Sequence, residues 1–245
     1  MNSTRYVLIF VLTLTTVVAV ALTGLREATK AIAERNEQIF NKRAILKAVQ
    51  DQLGEKVDDL SDDKVLEVFS TVDQYVLDMN GDVVGQKTAS ETDGALAEDI
   101  DMAKEKKKPE SDRLLPLYVF SPEGSGDKYY IVSVRGNGLW DEIWGNIALG
   151  SDLNTIVGAT FDHKGETPGL GAEIKDNPNF SKNFKGKKIY KDGEYVSVIV
   201  RKGGARDQVY EVDGISGATV TADGVSEMLY RGIKYYEPYF AKLRN

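Results

Sequence analysis

The first long hydrophobic segment of the chain is an uncharged run of 20 residues, 6–25, with Arg5 before it and Arg26 after it. A helix rises about 1.5 Å per residue, so this run would span roughly 30 Å, the thickness of the hydrocarbon core of a bilayer. The pattern therefore predicts a single transmembrane helix over residues 6–25, preceded by a short tail over residues 1–5.

A cleaved signal peptide is the alternative interpretation of this segment, because Ala19, Val20 and Ala21 resemble a small-residue cleavage site. Three features favour retention of the helix. The run is long for the apolar part of a signal peptide, its preceding segment is very short, and a helical pattern continues past the possible cleavage site.

Beyond the uncharged run, apolar positions recur at an imperfect helical spacing through residues 26–54. These positions are Ala31, Ile32, Ile39, Ala44, Ile45, Val49 and Leu53. Acidic and basic residues are interleaved along the segment, which argues against a helix lying flat on the membrane surface. We expect a juxtamembrane helix that leads away from the bilayer.

Most of the remaining chain consists of short strand-like runs and turns, with helical segments near its two ends. Residues 58–69 predict a short charged helix or a turn. Strand-like runs occupy residues 72–77, 83–84, 114–120, 128–135, 156–161, 195–201 and 209–212, with Asn80-Gly81 as a tight turn between the first two. Clustered strands with helices at the ends are typical of an α+β fold, here with a mainly antiparallel sheet and flanking helices. We assign residues 55–245 to this soluble domain.

Two charged segments resemble binding sites but have simpler interpretations. Asp78, Asn80 and Asp82 match the start of a calcium loop, yet the rest of that motif is missing, so we predict a plain hairpin turn. Lysines crowd residues 104–108, but acidic residues flank them on both sides, which favours a solvated loop or exposed helix.

Composition narrows the chemistry that the domain can perform. The net charge of −7 argues against nucleic-acid binding, which needs a basic surface. The sequence has no cysteine, which excludes disulfides, thiolate metal sites and iron–sulfur ligation. His163 is the only histidine, which excludes multi-histidine zinc sites and weakens any catalytic triad. We therefore predict neither a metal site nor a catalytic residue.

The most informative polar segment is Asp213-Gly214-Ile215-Ser216-Gly217-Ala218-Thr219, which directly precedes a predicted helix. That helix has one apolar face, formed by Val225, Met228, Leu229 and Ile233. Glycines allow the backbone to approach a ligand, and a helix N-terminus attracts phosphate. The segment fits either a phosphate site with a threonine hydroxyl directed into it or an ordinary turn with an N-cap. It does not match the P-loop pattern.

The same segment resembles the flavinylation motif of the FMN-binding domain found in the C subunits of sodium-translocating NADH:quinone reductases and in the related G subunits of Rnf-type complexes. Seven consecutive positions fit. Two further segments, residues 166–171 and 136–140, resemble other loops of this family in the expected order. Residues 115–119, 150–155 and 238–244 also resemble the C subunits. The resemblance is strongest from about residue 113, and it implies an FMN-binding part over about 113–235.

The resemblance implies one covalent FMN per chain, joined to the Thr219 hydroxyl through a phosphoester by a separate flavin transferase that uses FAD. It also implies the surrounding residues. Ser216, Gly217 and Ala218 would shape the loop, Asp213 would support the turn, and Leu139, Trp140 and Leu170 would contact the isoalloxazine ring. Thr167, Gly169 and Gly171 could offer backbone donors, and Glu166 could orient a polar edge. Trp144 is an alternative ring contact, and His163 is either a solvated loop residue or part of the site.

In function, the resemblance implies an electron-relay subunit of a membrane complex that passes electrons from NADH to quinone and transports sodium. The other subunits, the flavin transferase and membrane lipid would be its partners. The chain would not act alone or bind NADH, since it lacks a dinucleotide-binding glycine pattern. Alternatives are the G subunit of an Rnf-type complex, a membrane-anchored binding module without flavin, and a stand-alone flavin reductase.

The resemblance implies a single-pass protein of the bacterial inner membrane, with its soluble domain on the outer, periplasmic side. The distribution of basic residues favours the opposite orientation, with the soluble domain in the cytoplasm. Arg5 precedes the hydrophobic run, whereas Arg26, Lys30, Arg35, Lys42 and Arg43 follow it. Basic residues favour the cytoplasmic side. We follow the resemblance, because long domains translocate despite a weak charge bias.

Overall fold

The computed structural model describes residues 3–244, and the chain divides into two compact units, Met1–Lys42 and Arg43–Asn245. The first unit consists of most of helix α1, which spans Ser3–Lys47. By length and composition, α1 is able to cross a membrane, and the large apolar side chains of residues 6–25 are exposed. Residues 3–5 of the predicted tail are helical, whereas residues 1 and 2 lie outside the described residues.

The second unit contains the end of α1 and the remaining elements. Its other helices are α2 (Gln50–Leu53), α3 (Asp62–Ser70), α4 (Met102–Glu105), α5 (Glu173–Asp176), α6 (Pro178–Lys182), α7 (Thr219–Lys234) and α8 (Glu237–Arg244). Its strands are β1 (Asp73–Leu77), β2 (Val83–Lys87), β3 (Thr92–Asp93), β4 (Leu115–Phe120), β5 (Tyr129–Asn137), β6 (Glu142–Leu149), β7 (Ile156–His163), β8 (Tyr190–Lys191), β9 (Glu194–Tyr195), β10 (Ile199–Arg201) and β11 (Glu211–Asp213). Short 3₁₀ helices span Val57–Asp59, Ala97–Asp99 and Glu110–Asp112.

Strands β1 to β7 form one sheet in the order β3-β2-β1-β4-β5-β6-β7, and each neighbouring pair is antiparallel. Strands β8 and β9 form a short antiparallel hairpin, and β10 and β11 pair in parallel. The predicted α+β fold, with a mainly antiparallel sheet and flanking helices after an apolar N-terminal helix, is confirmed.

Helix α7 supplies the main cover for the sheet. Its apolar face shares one buried core with β4, β5 and β6, which includes Val225 and Leu229 of the helix and Val132 and Ile147 of the strands. The buried Tyr236, just after α7, donates its hydroxyl proton to the backbone of the sheet, where the carbonyls of Pro116 and Ser133 lie 2.9 and 3.0 Å away. These contacts fix the position of α7, and with it the position of its first residue.

The strand prediction was wrong in several places. The pattern missed the two-residue strands β3 and β8, and it missed β6, because Gly145 and the polar Asn146 interrupt its apolar residues. The run 195–201 was predicted as one strand, but it divides into β9 and β10. The break lies at Ser197, which has a φ of 62°, and the amides of Val196 and Ser197 both donate to the Ile189 carbonyl.

Candidate flavin site

Residues 213–219 connect the end of β11 to the first residue of α7. The start of this segment is tied to the turn after β10. The Gly214 amide donates to the Arg201 carbonyl at 2.9 Å, and the Asp213 carboxylate accepts from the Ala205 amide at 2.7 Å. Asp213 is therefore engaged in holding the turn.

An ion pair between Arg201 and Glu211 joins β10 to β11, the strand that precedes the segment. The Arg201 guanidinium hydrogen-bonds the Glu211 carboxylate, which also accepts from the Arg206 amide at 2.7 Å. The hydrogen bond from Arg201, supported by that from Arg206, lowers the pKa of Glu211 to about 2. The carboxylate is ionised at neutral pH and holds β11, the strand that leads into residues 213–219.

Among residues 3–244, no side chain caps the backbone amides in the first turn of α7. Gly217 has a φ of +77°, which favours glycine, and Ala218 occupies the N-cap position. Alanine has no side-chain acceptor, so no side chain caps this 16-residue helix. Thr219 is its first residue and is half-buried, and within residues 3–244 its hydroxyl has no hydrogen-bond partner. The helix therefore presents unsatisfied amides beside an accessible hydroxyl.

Glu166 joins three segments of the site. Its side-chain oxygens accept hydrogen bonds from the Trp140 amide at 2.9 Å and from the Thr221 hydroxyl at 2.6 Å. Its own amide donates to Nδ1 of His163 at 3.1 Å. Burial raises the pKa of Glu166, but the bonds from Thr221 and the backbone amides of Trp140 and its neighbours outweigh burial, so the pKa lies below its usual value.

Two glycines of the neighbouring loops make room for this carboxylate. A Cβ at Gly138 would collide with Oε1 and Cδ of Glu166, and a Cβ at Gly171 would collide with Oε2 of Glu166 and the Thr221 hydroxyl. Only glycine lets both loops pack against the same buried carboxylate. These two glycines therefore shape the inside of the site, beneath its surface.

Large exposed apolar side chains lie on the two loops that Glu166 connects to the first turn of α7. Trp140 is 68% exposed, and Leu139 and Leu170 are also exposed. The Trp140 indole is nevertheless fixed, because its N–H donates to the Thr167 hydroxyl at 3.1 Å while its backbone is held by Glu166. Leu170 lies against Gly217, so this apolar surface adjoins the 213–219 segment.

The structure thus brings the loops 138–141, 166–171 and 213–219 together, with all twelve predicted site residues on them. Thr167, Gly169, Leu170, Ser216 and Gly217 are exposed, whereas Glu166, Gly171 and Ala218 are buried. Trp144 lies elsewhere, on β6, with the Arg135 guanidinium 4.9 Å above its ring. Sequence reasoning missed Thr221, which is 1% exposed.

A separate cavity of about 290 Å³ lies between α4, β5 and α7. Cationic and anionic side chains line it together, among them Arg113, Arg135, Arg231 and Glu227. None of the twelve predicted site residues lines this cavity, so it is distinct from the surface around Thr219.

Comparison with known proteins gives a consistent result. The family described as FMN-binding domain matches residues 138–234, which include all three loops. The C subunit of the Na(+)-translocating NADH-quinone reductase of Vibrio vulnificus is 33% identical over 237 residues, covering 94% of this chain and 89% of that protein. The C subunit of the Haemophilus ducreyi reductase is 38% identical over 130 residues, covering 52% of this chain and 50% of that protein. That match thus spans about half the length of the relative.

A solved structure extends the comparison to the fold. The crystal structure of the C subunit of the Na(+)-translocating NADH-quinone reductase from Parabacteroides distasonis superimposes with a TM-score of 0.71 and is 34% identical, covering 86% of this chain and 96% of that one.

Proposed function

Because the chain belongs to the family of the C subunits of Na(+)-translocating NADH-quinone reductases, we propose that it is an electron-relay subunit with one covalent FMN on Thr219. The complete complex would pass electrons from NADH to quinone and couple that transfer to sodium transport. The other subunits would supply the NADH site and the ion path.

The observation that carries this proposal is the position of Thr219. Its hydroxyl is accessible and unpartnered within residues 3–244, at the uncapped N-terminus of a long helix. A helix N-terminus stabilises phosphate through free amides and its partial positive charge. The exposed Leu170 lies against Gly217, and the exposed Trp140 lies on the loop that Glu166 joins to the first turn of α7. Together they offer an apolar surface for a flat ring. The residues present therefore fit an FMN phosphoester.

Attachment would proceed by phosphoryl transfer to the threonine oxygen. The Thr219 hydroxyl oxygen forms a bond to the flavin-side phosphorus of FAD, the phosphoanhydride bond breaks, AMP leaves, and the hydroxyl proton passes to a base. The carboxylate of Glu166 is buried and engaged by Thr221 and Trp140, and that of Asp213 is engaged by Ala205. A separate flavin transferase would supply the base.

Bound FMN would supply the redox chemistry, while the chain sets its position and surroundings. The amides of residues 219–221 would hold the phosphate, and Ser216, Gly217 and Ala218 would keep the loop open around it. Leu139, Trp140 and Leu170 would pack against the ring, with Thr167 and Gly169 at its polar edge. An exposed, tethered cofactor suits electron exchange with a partner subunit.

Helix α1 would anchor the protein in the bacterial inner membrane in contact with lipid, and residues 55–245 would form the soluble domain on the periplasmic side. The length and apolar composition of α1 support the anchor. The family resemblance supports the orientation. The basic residues that follow the hydrophobic run do not.

Coexpression with a flavin transferase tests the proposal. We expect the full chain and the remote control Thr92→Ala to show flavin fluorescence in a denaturing gel, since Thr92 is exposed on β3. Thr219→Ala should show none, because the acceptor oxygen is gone. A dark wild-type band would reject the covalent flavin and favour an anchored binding module without it.

A further inference from the structure

Glu166 occupies a place in the site that the attachment chemistry does not use. We propose that its carboxylate is a positioning residue: it sets the distance between the acceptor Thr219 and the apolar surface around Trp140. This inference rests on the proposed attachment at Thr219. Glu166 would therefore order the site without contacting the FMN itself.

Burial separates Glu166 from any ligand. The side chain is 4% exposed, and the Thr221 side chain that meets it is 1% exposed. Gly138 and Gly171 lie so close to the carboxylate that neither has room for a Cβ. Both carboxylate oxygens accept hydrogen bonds, and the backbone of Gly138 and Gly171 packs against the carboxylate. It is therefore not exposed to a ligand at the surface.

The two hydrogen bonds connect parts of the site that are distant in sequence. Thr221 lies in the first turn of α7, two residues after Thr219, so holding its hydroxyl holds that turn. Trp140 lies 26 residues before Glu166, and its amide bond fixes the loop that carries the exposed indole. The positions of Thr219 and of the ring-contacting surface should affect the rate of flavin attachment, because a small displacement of a reacting atom lowers a reaction rate strongly.

The bridge needs a hydrogen-bonding group at both ends. Trp140 and Thr221 both donate, and a carboxylate can accept from each at once. A methionine has a similar length and no side-chain oxygen to accept either bond, so Glu166→Met removes the bridge. Glutamine would preserve it, because its oxygen can accept from Trp140 while its amide group donates to the Thr221 hydroxyl. Thr221→Val removes the donor at the other end, and Thr221→Ser restores it.

The test uses the full chain in detergent, incubated with FAD and a purified flavin transferase, and measures the initial rate of covalent flavin incorporation. Glu105→Met is the matched control, because Glu105 is also buried and accepts a hydrogen bond from the Leu114 amide, outside the 213–219 segment. The thermal midpoint of each variant is recorded. A second readout needs no flavin: the fluorescence anisotropy decay of Trp140 in a Trp144→Phe background.

We expect Glu166→Met and Thr221→Val to slow incorporation by about tenfold or more, the effect of losing a charged hydrogen bond and the geometry it holds. Thr221→Ser and Glu105→Met should stay near the wild-type rate. The anisotropy of Trp140 should decay faster in Glu166→Met. If Glu166→Met does not fold, the comparison of Thr221→Val with Thr221→Ser decides.

Equal incorporation rates in wild type, Glu166→Met and Thr221→Val would overturn the positioning role while leaving the proposed function intact. A wild type that accepts no flavin would instead reject the proposed function. In that case the anisotropy comparison decides whether Glu166 holds the Trp140 loop, and an unchanged decay would overturn the inference.

Discussion

Glu211 shows how one ionised side chain supports the site. Its pKa lies at about 2, below the ordinary value of 4.5, mainly because Arg201 hydrogen-bonds the ionised form. A depressed carboxylate pKa stabilises the folded state above the unfolded pKa, and this contribution is lost as the pH falls toward the folded pKa. The loss therefore falls between about pH 4.5 and pH 2.

Glu211→Gln should lower the thermal midpoint of the full chain at neutral pH and have little effect near pH 2, where the wild-type carboxyl is also becoming neutral. Thermal denaturation across this pH range measures the difference. A gap between the two proteins that does not narrow on acidification would show that Arg201 does not act through the charge of Glu211.

Individual site residues differ in how far the sequence predicts them. Thr219 is marked by seven consecutive motif positions, and the structure places it at an uncapped helix start. The bond between Glu166 and Thr221 joins residues 55 positions apart, and no local pattern encodes it. Thr221 is a polar residue near the apolar face of α7, and only the fold reveals its buried partner.

At the scale of elements, α7 carries the site and joins it to the core. Leu229 is fully buried between the helix and the sheet. Leu229→Ala should destabilise the domain by about 2–5 kcal/mol, because it removes buried methyl groups and leaves a cavity. Chemical denaturation of the full chain measures the loss.

The exposed Glu227 on the same helix is the control for Leu229. Glu227→Ala should change the unfolding free energy by no more than about 0.5 kcal/mol, since its bond to Arg231 is a surface ion pair. A similar loss in both variants would mean that α7 is sensitive to any substitution and that burial of Leu229 is not the cause.

Short runs rich in β-branched, aromatic and other apolar residues predicted five strands of the large sheet, β1, β2, β4, β5 and β7. Strand β6 was missed because Gly145 and Asn146 interrupt its apolar run. The parallel pairing of β10 with β11 also lies beyond local pattern. It depends on α7, where the Ser226 hydroxyl accepts from the Val200 amide at 2.9 Å.

At the scale of the whole molecule, the sequence gives conflicting evidence on which side of the membrane the soluble domain lies. The hydrophobic run gives the length of a span, but basic residues and family resemblance favour opposite sides. The distribution of basic residues is a weak determinant of orientation when a long domain follows the span, so the number of basic residues does not decide the orientation.

The absence of cysteine makes orientation measurable with single introduced thiols. Ser125 is exposed in the turn between β4 and β5, and Ser3 lies at the start of α1. With the domain outside, a membrane-impermeant maleimide should label Ser125→Cys in intact spheroplasts and label Ser3→Cys only after lysis. The reverse pattern would place the domain in the cytoplasm.

The central claim is that Thr219 carries the flavin, and tandem mass spectrometry of the tryptic peptide 207–231 tests it most directly. This peptide contains both Thr219 and Thr221. For protein coexpressed with a flavin transferase, we predict the added mass of FMN less one water on Thr219, with the buried Thr221 unmodified. An unmodified peptide, or a flavin located on Thr221 or Ser216, would contradict the account.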